Sequence, residues 1–337
     1  MAFDSCNLTP YHCAAINPSA TYLSEFFEAL DHAERLETDV FGRSVAFFAA
    51  VSDTTACLEF LISKQFNVTM HDKFKLTPLI QAARYGKSAN VELLIKFQRG
   101  DETETPVSIF QSLLRNKRTV LHYAAYFGHA ETCRVLIQNN CPVDTMENLD
   151  KQTPLLYATK NGYLDCVRVL IEEGHANPEK GDKFARNALH LACIYGHLDI
   201  VRYLLSIGVD ADAPDSSQNY PTHYAAAYGY IDILHLLIEY GSANPALPNV
   251  WTSTPCSVAN MKGHVAIVKY LLQLPGSPID VNFKDQDGCI MLQRTIDESV
   301  ISDMDMELNL SKAKLLLSMN ADVNSKDIEG KNYNISN

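Results

Sequence analysis

The sequence of 337 residues predicts an α-helical repeat solenoid, in which short helix-turn-helix units follow one another along the chain. One observation is a four-residue segment, often similar to Thr-Pro-Leu-His, that recurs at spacings of 33 to 36 residues and once of 42. A second is a glycine that follows most of these tetrads and ends a stretch of helical apolar spacing. A third is a pair of small residues, mostly Ala-Ala, between tetrad and glycine. A fixed period of this length is typical of stacked repeats.

The unit is clearest in residues 186–213, where two stretches with helical apolar spacing occupy 188–193 and 198–205. Gly196 separates the stretches and Gly208 follows the second, as expected where a helix stops. Neither stretch is long enough to form a stable helix by itself, so each unit must pack against its neighbours. The glycines that end the first helix of a unit are Gly86, Gly128, Gly162, Gly196, Gly229 and Gly263.

The tetrads carry a resemblance to a known family. Thr77–Ile80 and Thr153–Leu156 begin with Thr-Pro, a pair that caps and starts a helix, and Thr119–His122 ends in the Leu-His of the motif. With the small pairs and glycines in register, almost the whole chain resembles the ankyrin repeat family. The resemblance implies units of about 33 residues joined by β-hairpin fingers, with a concave and a convex side. It also implies binding through the fingertips and the first helices.

We predict one continuous array of about nine repeats. The second helix of repeat 1, Tyr22 to Leu36, has a polar side, as a terminal cap repeat requires. The predicted boundaries are 4–38 for the cap-like repeat 1, 39–71, 72–114 with an insertion at 99–114, 115–146, 147–180, 181–213, 214–246, 247–284, and 285–326 with an acidic insertion at 297–311. Residues 327–337 resemble the start of a tenth repeat, so we expect the chain to be an N-terminal piece of a longer protein.

Composition limits the possible functions. A formal net charge of −12 argues against nucleic-acid binding, which normally requires a basic surface. The start of the chain does not resemble a signal peptide, and no apolar run approaches ~18 residues, so we predict no transmembrane segment. The nine cysteines include no Cys-Xaa-Xaa-Cys pair, which favours a cytoplasmic or other intracellular location. Five of them are predicted at helix core positions: Cys13, Cys133, Cys166, Cys193 and Cys256.

The histidines are interpreted as structural. His12, His122, His190 and His223 share the last position of the tetrad. The resemblance implies that this histidine forms hydrogen bonds between neighbouring turns, so we do not interpret it as a metal ligand. The pairs of His190 with Cys193 and of His12 with Cys13 lack an orienting acid, and the chain carries no phosphate-loop, zinc-protease or nucleophile-elbow motif. We therefore predict no catalytic residue, no metal site and no cofactor.

Recognition of a protein partner is the function that remains. The fingertip, three positions before each tetrad, is aromatic in four copies, and the residue before the helix-ending glycine is often aromatic too. These rings either pack on neighbouring repeats or act as interface anchors, and the sequence leaves both alternatives open. Basic residues cluster in the fingers of repeats 3 to 6. The candidate partner-binding residues are Phe41, Arg43, Lys73, Phe74, Lys75, Tyr85, Arg115, Lys117, Arg118, Phe127, Lys183, Phe184, Tyr195, Tyr228 and Trp251.

We therefore predict a monomeric, non-catalytic protein-interaction module or scaffold, whose partner carries an acidic or phosphorylated segment. Three alternatives stay open. In the first, the array is the targeting arm of a larger ADP-ribosyltransferase, palmitoyltransferase, kinase or ion channel. In the second, it is a host-interacting effector. In the third, its basic fingers bind acidic lipid headgroups.

Overall fold

The computed structural model of the chain describes residues 7–100, 110, 116–275, 279–296 and 306–330. These residues form helices joined by turns, and within them there is no regular β-strand, only single bridge residues at Thr119 and Lys326. The predicted α-helical repeat fold is confirmed, although its fingers are turns rather than paired strands. Four predicted features lie outside the described residues: Arg115, most of the insertion after Arg99, residues 297–305 of the acidic insertion, and residues 331–337 of the incomplete tenth repeat.

The chain divides into two compact units, Met1–Asn177 and Pro178–Asn337. The helices described in the first unit are α1 (Pro10–Ala14), α2 (Thr21–Ala29), α3 (His32–Arg35), α4 (Val45–Ala49), α5 (Ala56–Ser63), α6 (Pro78–Arg84), α7 (Ser88–Arg99), α8 (Val120–Tyr126), α9 (Ala130–Gln138), α10 (Pro154–Lys160) and α11 (Leu164–Arg168), which continues as a π-helical turn at Val169–Glu173.

The second unit follows the same pattern. Its described helices are α12 (Ala188–Tyr195), α13 (Leu198–Ser206), α14 (Pro221–Tyr228), α15 (Ile231–His235) with a π-helical turn at Leu236–Tyr240, α16 (Pro255–Lys262), α17 (Val265–Leu272), α18 (Met291–Ile296) and α19 (Met306–Ser318).

In six repeats the first residue of the tetrad caps the first helix with its side chain, whereas Ser44 and Tyr220 stand at that position without a side-chain capping bond. The Thr77 side chain accepts a hydrogen bond from the backbone N–H of Ile80, and Pro78 occupies the first helical position, where no donor is needed. The small pairs then allow the first helices of successive repeats to approach closely, since Ala124 and Ala125, for example, are fully buried. The six glycines predicted to end a first helix do so, and each has a left-handed backbone conformation with φ between +71° and +81°.

The prediction of a single helix from Tyr22 to Leu36 is wrong. Helix α2 ends at Ala29, Leu30 is extended, and α3 starts afresh after Asp31. The Asp31 carboxylate accepts the backbone N–H of Glu34 at 2.8 Å, and the Glu34 carboxylate accepts the N–H of Asp31 at 3.0 Å. This reciprocal capping box satisfies donors that a continuous helix would have used internally, so it favours a new helix start.

Helix α19 begins at Met306, so the last six residues of the predicted acidic insertion are helical. Leu308 lies against Gly263, at the end of α16: a Cβ atom built on that glycine would approach Leu308 Cδ2 to 2.9 Å. The start of α19 thus packs an apolar side chain against the end of α16, the first helix of the preceding repeat. The prediction that Cys13 occupies a core position is also wrong, because the packed side of the five-residue helix α1 is formed by Tyr11, His12 and Ala14.

The fingers are fixed by a polar side chain that the sequence analysis did not single out. In six fingers a residue five positions before the tetrad accepts hydrogen bonds from the backbone N–H groups two and four positions later. In the Asp72 finger, the N–H groups of Phe74 and Leu76 donate to Oδ1 at 2.8 and 2.9 Å. This arrangement holds the fingertip backbone rigidly. The six residues are Asp39, Asp72, Asp182, Asp215, Asn249 and Asp285.

Several fingers have a residue other than glycine with a positive φ two positions before the tetrad, and in one of them that residue is β-branched. Thr252 has a φ of +55°, a left-handed conformation that is unfavourable for a β-branched side chain. We expect Thr252→Gly to raise the free energy of unfolding by about 0.5–1 kcal/mol, because the relief of strain exceeds the extra chain entropy that glycine loses on folding. Thr252→Asn is the matched control and should give an intermediate gain. Urea titration of the three proteins tests this order, and a loss of stability in Thr252→Gly would contradict it.

Candidate functional site

Three of the four tetrad histidines link successive repeats, as the resemblance implies, whereas the buried Nε2 of His12 has no hydrogen-bond partner among the described residues. His122 Nδ1 accepts the backbone N–H of Thr119 at 3.0 Å, and its Nε2 donates to the carbonyl of Gln152 in the next finger at 3.1 Å. His190 and His223 reach the carbonyls of Asn219 and Ser253 in the same way. Burial lowers the pKa of these three histidines to about 4, so they are neutral at pH 7 and link successive repeats.

Burial also opposes nucleophilic chemistry at Cys193, the cysteine beside His190. It raises the pKa of the Cys193 thiol well above its usual range, which disfavours the reactive thiolate. Among the described residues, no group of three His, Cys, Asp or Glu side chains is placed to hold a metal ion. No described helix combines the length and apolarity needed to cross a membrane.

The predicted fingertip rings of the first unit lie together. Phe41 and Phe74 have ring centroids 6.2 Å apart, and the Arg43 guanidinium lies 5.1 Å from the Phe41 ring while it pairs with Asp39. Both alternatives left open by the sequence therefore have support here, because the rings pack on each other and yet Phe41 and Phe74 remain 41% and 56% exposed. A half-exposed ring held by a neighbour is pre-organised for a further contact.

The second unit presents its fingertip rings separately. The charged groups of Arg186 and Lys183 lie over the ring of Phe184, 4.8 and 5.0 Å from its centroid. The backbone N–H of Trp251 donates to Asn249, and its indole ring remains about half exposed. These rings have an outward surface that no described neighbour covers fully.

The second predicted column of rings also lies at the surface. Tyr85 in the first unit and Tyr195 and Tyr228 in the second are exposed at the ends of α6, α12 and α14, and Phe127 is half-buried after α8. Three of the four stack on the ring two residues later: Phe127 on His129, Tyr195 on His197 and Tyr228 on Tyr230. These contacts fix the orientation of Phe127 in the first unit and of Tyr195 and Tyr228 in the second.

The predicted basic residues differ in their surroundings. The Lys73 ammonium donates to the Val40 carbonyl at 2.7 Å, and Lys75 lies 3.2 Å from His71 Nε2. Lys117 is exposed and has a positive φ of +53°. Arg118 is half-buried: its Nη2 donates to the Tyr157 hydroxyl at 2.6 Å, and its guanidinium lies 5.0 Å from the ring centroid of that tyrosine.

Three of the predicted residues, Phe74, Arg118 and Phe127, line one cleft of about 360 Å³ in the first unit. Sequence reasoning missed three of its other lining residues, Arg84, Tyr126 and Tyr157, as binding residues. One signal could have found Tyr157, because the position four residues after the start of the tetrad is tyrosine in three copies. Those residues are Tyr123, Tyr157 and Tyr224.

Capped first helices, glycine ends and finger turns, repeated every 33 to 36 residues, define a helical repeat protein with its exposed rings on fingertips and first-helix ends. A family model described as ankyrin repeats in three copies matches residues 11–105, 103–182 and 174–249. The chain belongs to the ankyrin repeat family.

Several known proteins are similar to the chain. The poly [ADP-ribose] polymerase tankyrase of Caenorhabditis elegans is 32% identical over 98% of this chain, which covers 15% of the tankyrase. The putative E3 ubiquitin-protein ligase XBAT31 of Arabidopsis thaliana is 34% identical over 28% of the chain and 19% of its own length. The human ASB11 ankyrin repeat domain superposes with a TM-score of 0.55 at 24% identity, over 64% of this chain and 92% of that one. The chain spans less than a fifth of the length of these two curated relatives.

Proposed function

We propose that the chain is a non-catalytic protein-interaction module that binds its partner through fingertips and first-helix ends. The observation that carries this proposal is the recurrence of large exposed rings at the same two positions of successive repeats. Exposed aromatic side chains on a rigid framework are typical anchors of protein interfaces. The exposed rings are Phe41, Phe74, Phe184 and Trp251 at the fingertips and Tyr85, Tyr195 and Tyr228 at the helix ends, where Phe127 is half-buried.

The partner that we propose is a protein with an acidic or phosphorylated segment, bound by a monomeric chain inside the cell. Supporting this chemistry, exposed cations stand beside fingertip rings in both units, as with Lys73 beside Phe74 and Lys183 beside Phe184. Arginine and lysine are the side chains that pair with carboxylates and phosphates. The buried thiols agree with a reducing environment.

Two rings of the first unit test this function. Phe74→Ser combined with Tyr85→Ser should weaken partner binding at least tenfold, because each removes an exposed aromatic contact worth about 1 kcal/mol or more at an interface. Phe97→Ser is the control, since Phe97 is also an exposed aromatic residue, at 39%, but lies on the second helix α7. Affinity capture followed by quantitative mass spectrometry measures the effect. The same partners retained equally by all three proteins would contradict the proposed surface.

A second candidate function is favoured by the alignment with the nematode tankyrase, which runs along 98% of the chain but only 15% of that enzyme. We propose that the array recruits partners for an ADP-ribosylating enzyme encoded in the same reading frame. Sequencing the transcript beyond the Asn337 codon tests this candidate. A downstream NAD-dependent transferase domain is expected, whereas a kinase, palmitoyltransferase or channel domain, or a stop codon at that point, would exclude it.

A further inference from the structure

The cleft of the first unit contains a continuous row of rings with a guanidinium at each end. Tyr126 lies at its centre, with its ring centroid 4.9 Å from that of Phe127 and 5.6 Å from that of Tyr157. Arg84 lies 5.2 Å from the Phe127 centroid, and Arg118 lies 5.0 Å from the Tyr157 centroid. All five residues line the same cleft, which we call the Arg84–Arg118 cleft. Its floor is apolar in the middle and cationic at both ends.

Arg84 and Arg118 supply the positive charge of this cleft. Within the part of the chain that the structure describes, neither forms an ion pair with a carboxylate, and no acidic side chain lines the cleft. His122, which also lines it, uses Nδ1 and Nε2 in the repeat-linking hydrogen bonds and is neutral at pH 7. Neither guanidinium is therefore paired with a described carboxylate, although Asp72 and Glu147 lie close enough to act electrostatically on the cleft residues Tyr123 and Tyr157.

One donor of Arg118 is unsatisfied. Its Nε atom is shielded from solvent and has no hydrogen-bond partner among the described residues, although Nη2 is held by the Tyr157 hydroxyl. A buried donor without an acceptor costs about 1–3 kcal/mol, and an ionised donor costs more. The shielded Nε is out of reach of a ligand oxygen in this conformation, so a carboxylate would pair with the terminal guanidinium nitrogens, and the contact with the Tyr157 ring holds the guanidinium in place for it.

We propose that the Arg84–Arg118 cleft binds an extended peptide segment of a partner protein in which two acidic side chains flank an apolar side chain. This inference rests on the proposed interaction function. The apolar side chain lies over Tyr126, and one carboxylate pairs with each guanidinium. Carboxylates fit better than phosphates, because each end of the row carries a single positive charge and a phosphorylated side chain carries nearly two negative charges.

The row also limits the spacing of the two acids. Its four contacts, each between 4.9 and 5.6 Å, place the guanidiniums at most about 20 Å apart. An extended peptide advances about 3.3 Å per residue, so acids two to six positions apart can reach both ends. A cleft of about 360 Å³ lies near the lower end of the range for ligand sites, which suits one apolar side chain with its flanking groups.

The test uses fluorescein-labelled synthetic peptides of twelve residues, titrated by fluorescence anisotropy. Each carries two Glu residues, two to six positions apart, on either side of a Leu or Phe. In parallel sets both Glu residues are replaced by Gln or by phosphoserine. We expect at least one Glu peptide to bind, its Gln counterpart to bind at least tenfold more weakly, and the phosphoserine counterpart to gain nothing.

Substitutions in the chain complete the test. Arg84→Gln should weaken binding of the Glu peptide about tenfold, and Arg84→Gln with Arg118→Gln about a hundredfold. Arg118→Lys keeps the charge but loses the planar fork and the hydrogen bond to the Tyr157 hydroxyl, so we expect an intermediate effect on peptide affinity, with a thermal melt showing that the variant is folded at the assay temperature. Arg134→Gln is the matched control, because Arg134 pairs with Glu131 and Glu173 outside the cleft and should leave peptide affinity unchanged.

The outcomes separate this inference from the proposed function. Equal binding of Glu and Gln peptides, tighter binding of phosphoserine peptides, or equal affinity of wild type and the double variant would each overturn the acidic-peptide assignment. If no Glu peptide binds while captured partner proteins still depend on Phe74 and Tyr85, the module function stands and the assignment fails. A chain that retains neither peptide nor protein overturns both.

Discussion

Acidification from pH 7 to pH 5 is expected to destabilise the fold by about 2 kcal/mol for each of the three buried histidines His122, His190 and His223. Their folded-state pKa is lowered to about 4, whereas an unfolded histidine titrates near 6.5. Between these values only the unfolded chain binds the proton. Stability is therefore fully present above about pH 6.5 and is lost as the pH falls towards 4.

The physical cause is the environment of each ring. In His122, Nδ1 must accept the backbone N–H of Thr119, and Nε2 must donate to the carbonyl of Gln152. A proton on Nδ1 would place two donors face to face inside a buried site. Urea unfolding at a series of pH values, followed by circular dichroism, measures the loss.

The chain itself provides the control for this prediction. At the equivalent position of the last repeat, Gln293 Oε1 accepts the N–H of Ile290 at 2.8 Å, and Nε2 donates to the carbonyl of Ser325 at 3.0 Å. Glutamine thus makes both hydrogen bonds and does not titrate. Replacing the three histidines by glutamine should preserve folding at pH 7 and remove most of the pH dependence between 7 and 5. An unchanged pH profile would assign the acid sensitivity to other groups.

Gly196→Ala should lower the free energy of unfolding by about 3 kcal/mol, the second large effect that we expect. Gly196 ends α12 with a φ of +77°, where an L-residue is strained. In addition, a Cβ atom there would lie 2.7 Å from Cζ of Tyr230 in the next repeat. Backbone strain and steric overlap therefore act together at this position.

Gly208→Ala separates the two contributions. Gly208 has a similar φ of +84°, but a Cβ atom on it would meet nothing within 4 Å. We expect Gly208→Ala to lower the free energy of unfolding by only about 1 kcal/mol, the cost of the backbone strain alone. Tyr230→Ala removes the ring that overlaps the added Cβ atom. The double substitution Gly196→Ala with Tyr230→Ala should therefore cost less stability than the sum of the two single substitutions. Equal losses for Gly196→Ala and Gly208→Ala in urea titration would show that the ring contact contributes nothing.

The histidine and glycine predictions both concern contacts between successive repeats, which hold the first helices that carry the candidate site. The histidine links join the start of one first helix to the next finger, and the glycine contacts join its end to the following repeat. Tyr85, Phe127 and the rings of the Arg84–Arg118 cleft are attached to these same first helices. Peptide affinity measured near pH 5 therefore requires the glutamine-substituted chain, in which loss of folding does not mask loss of binding.

The sequence by itself determined the features that depend on neighbours within a few residues. Caps such as Thr77 and the helix-ending glycines follow from local hydrogen bonding and backbone conformation, and the structure confirms them. The linking role of the histidines came from the family resemblance instead, because the bond from His122 reaches Gln152, 30 residues away. The helix from Tyr22 to Leu36 failed for a local reason, because the Asp31 capping box outweighs an apolar pattern that continues through it.

The tertiary structure alone decided which side chains form one cleft. Arg84, Tyr126 and Tyr157 lie far apart in the sequence and belong to three different repeats. They meet because helices α6, α8 and α10 stack side by side, so that equivalent positions of successive repeats become neighbours. Column patterns in the sequence identified Phe74, Arg118 and Phe127 as candidates. The distances between rings, and the unsatisfied Nε of Arg118, depend on helix packing that no single repeat specifies.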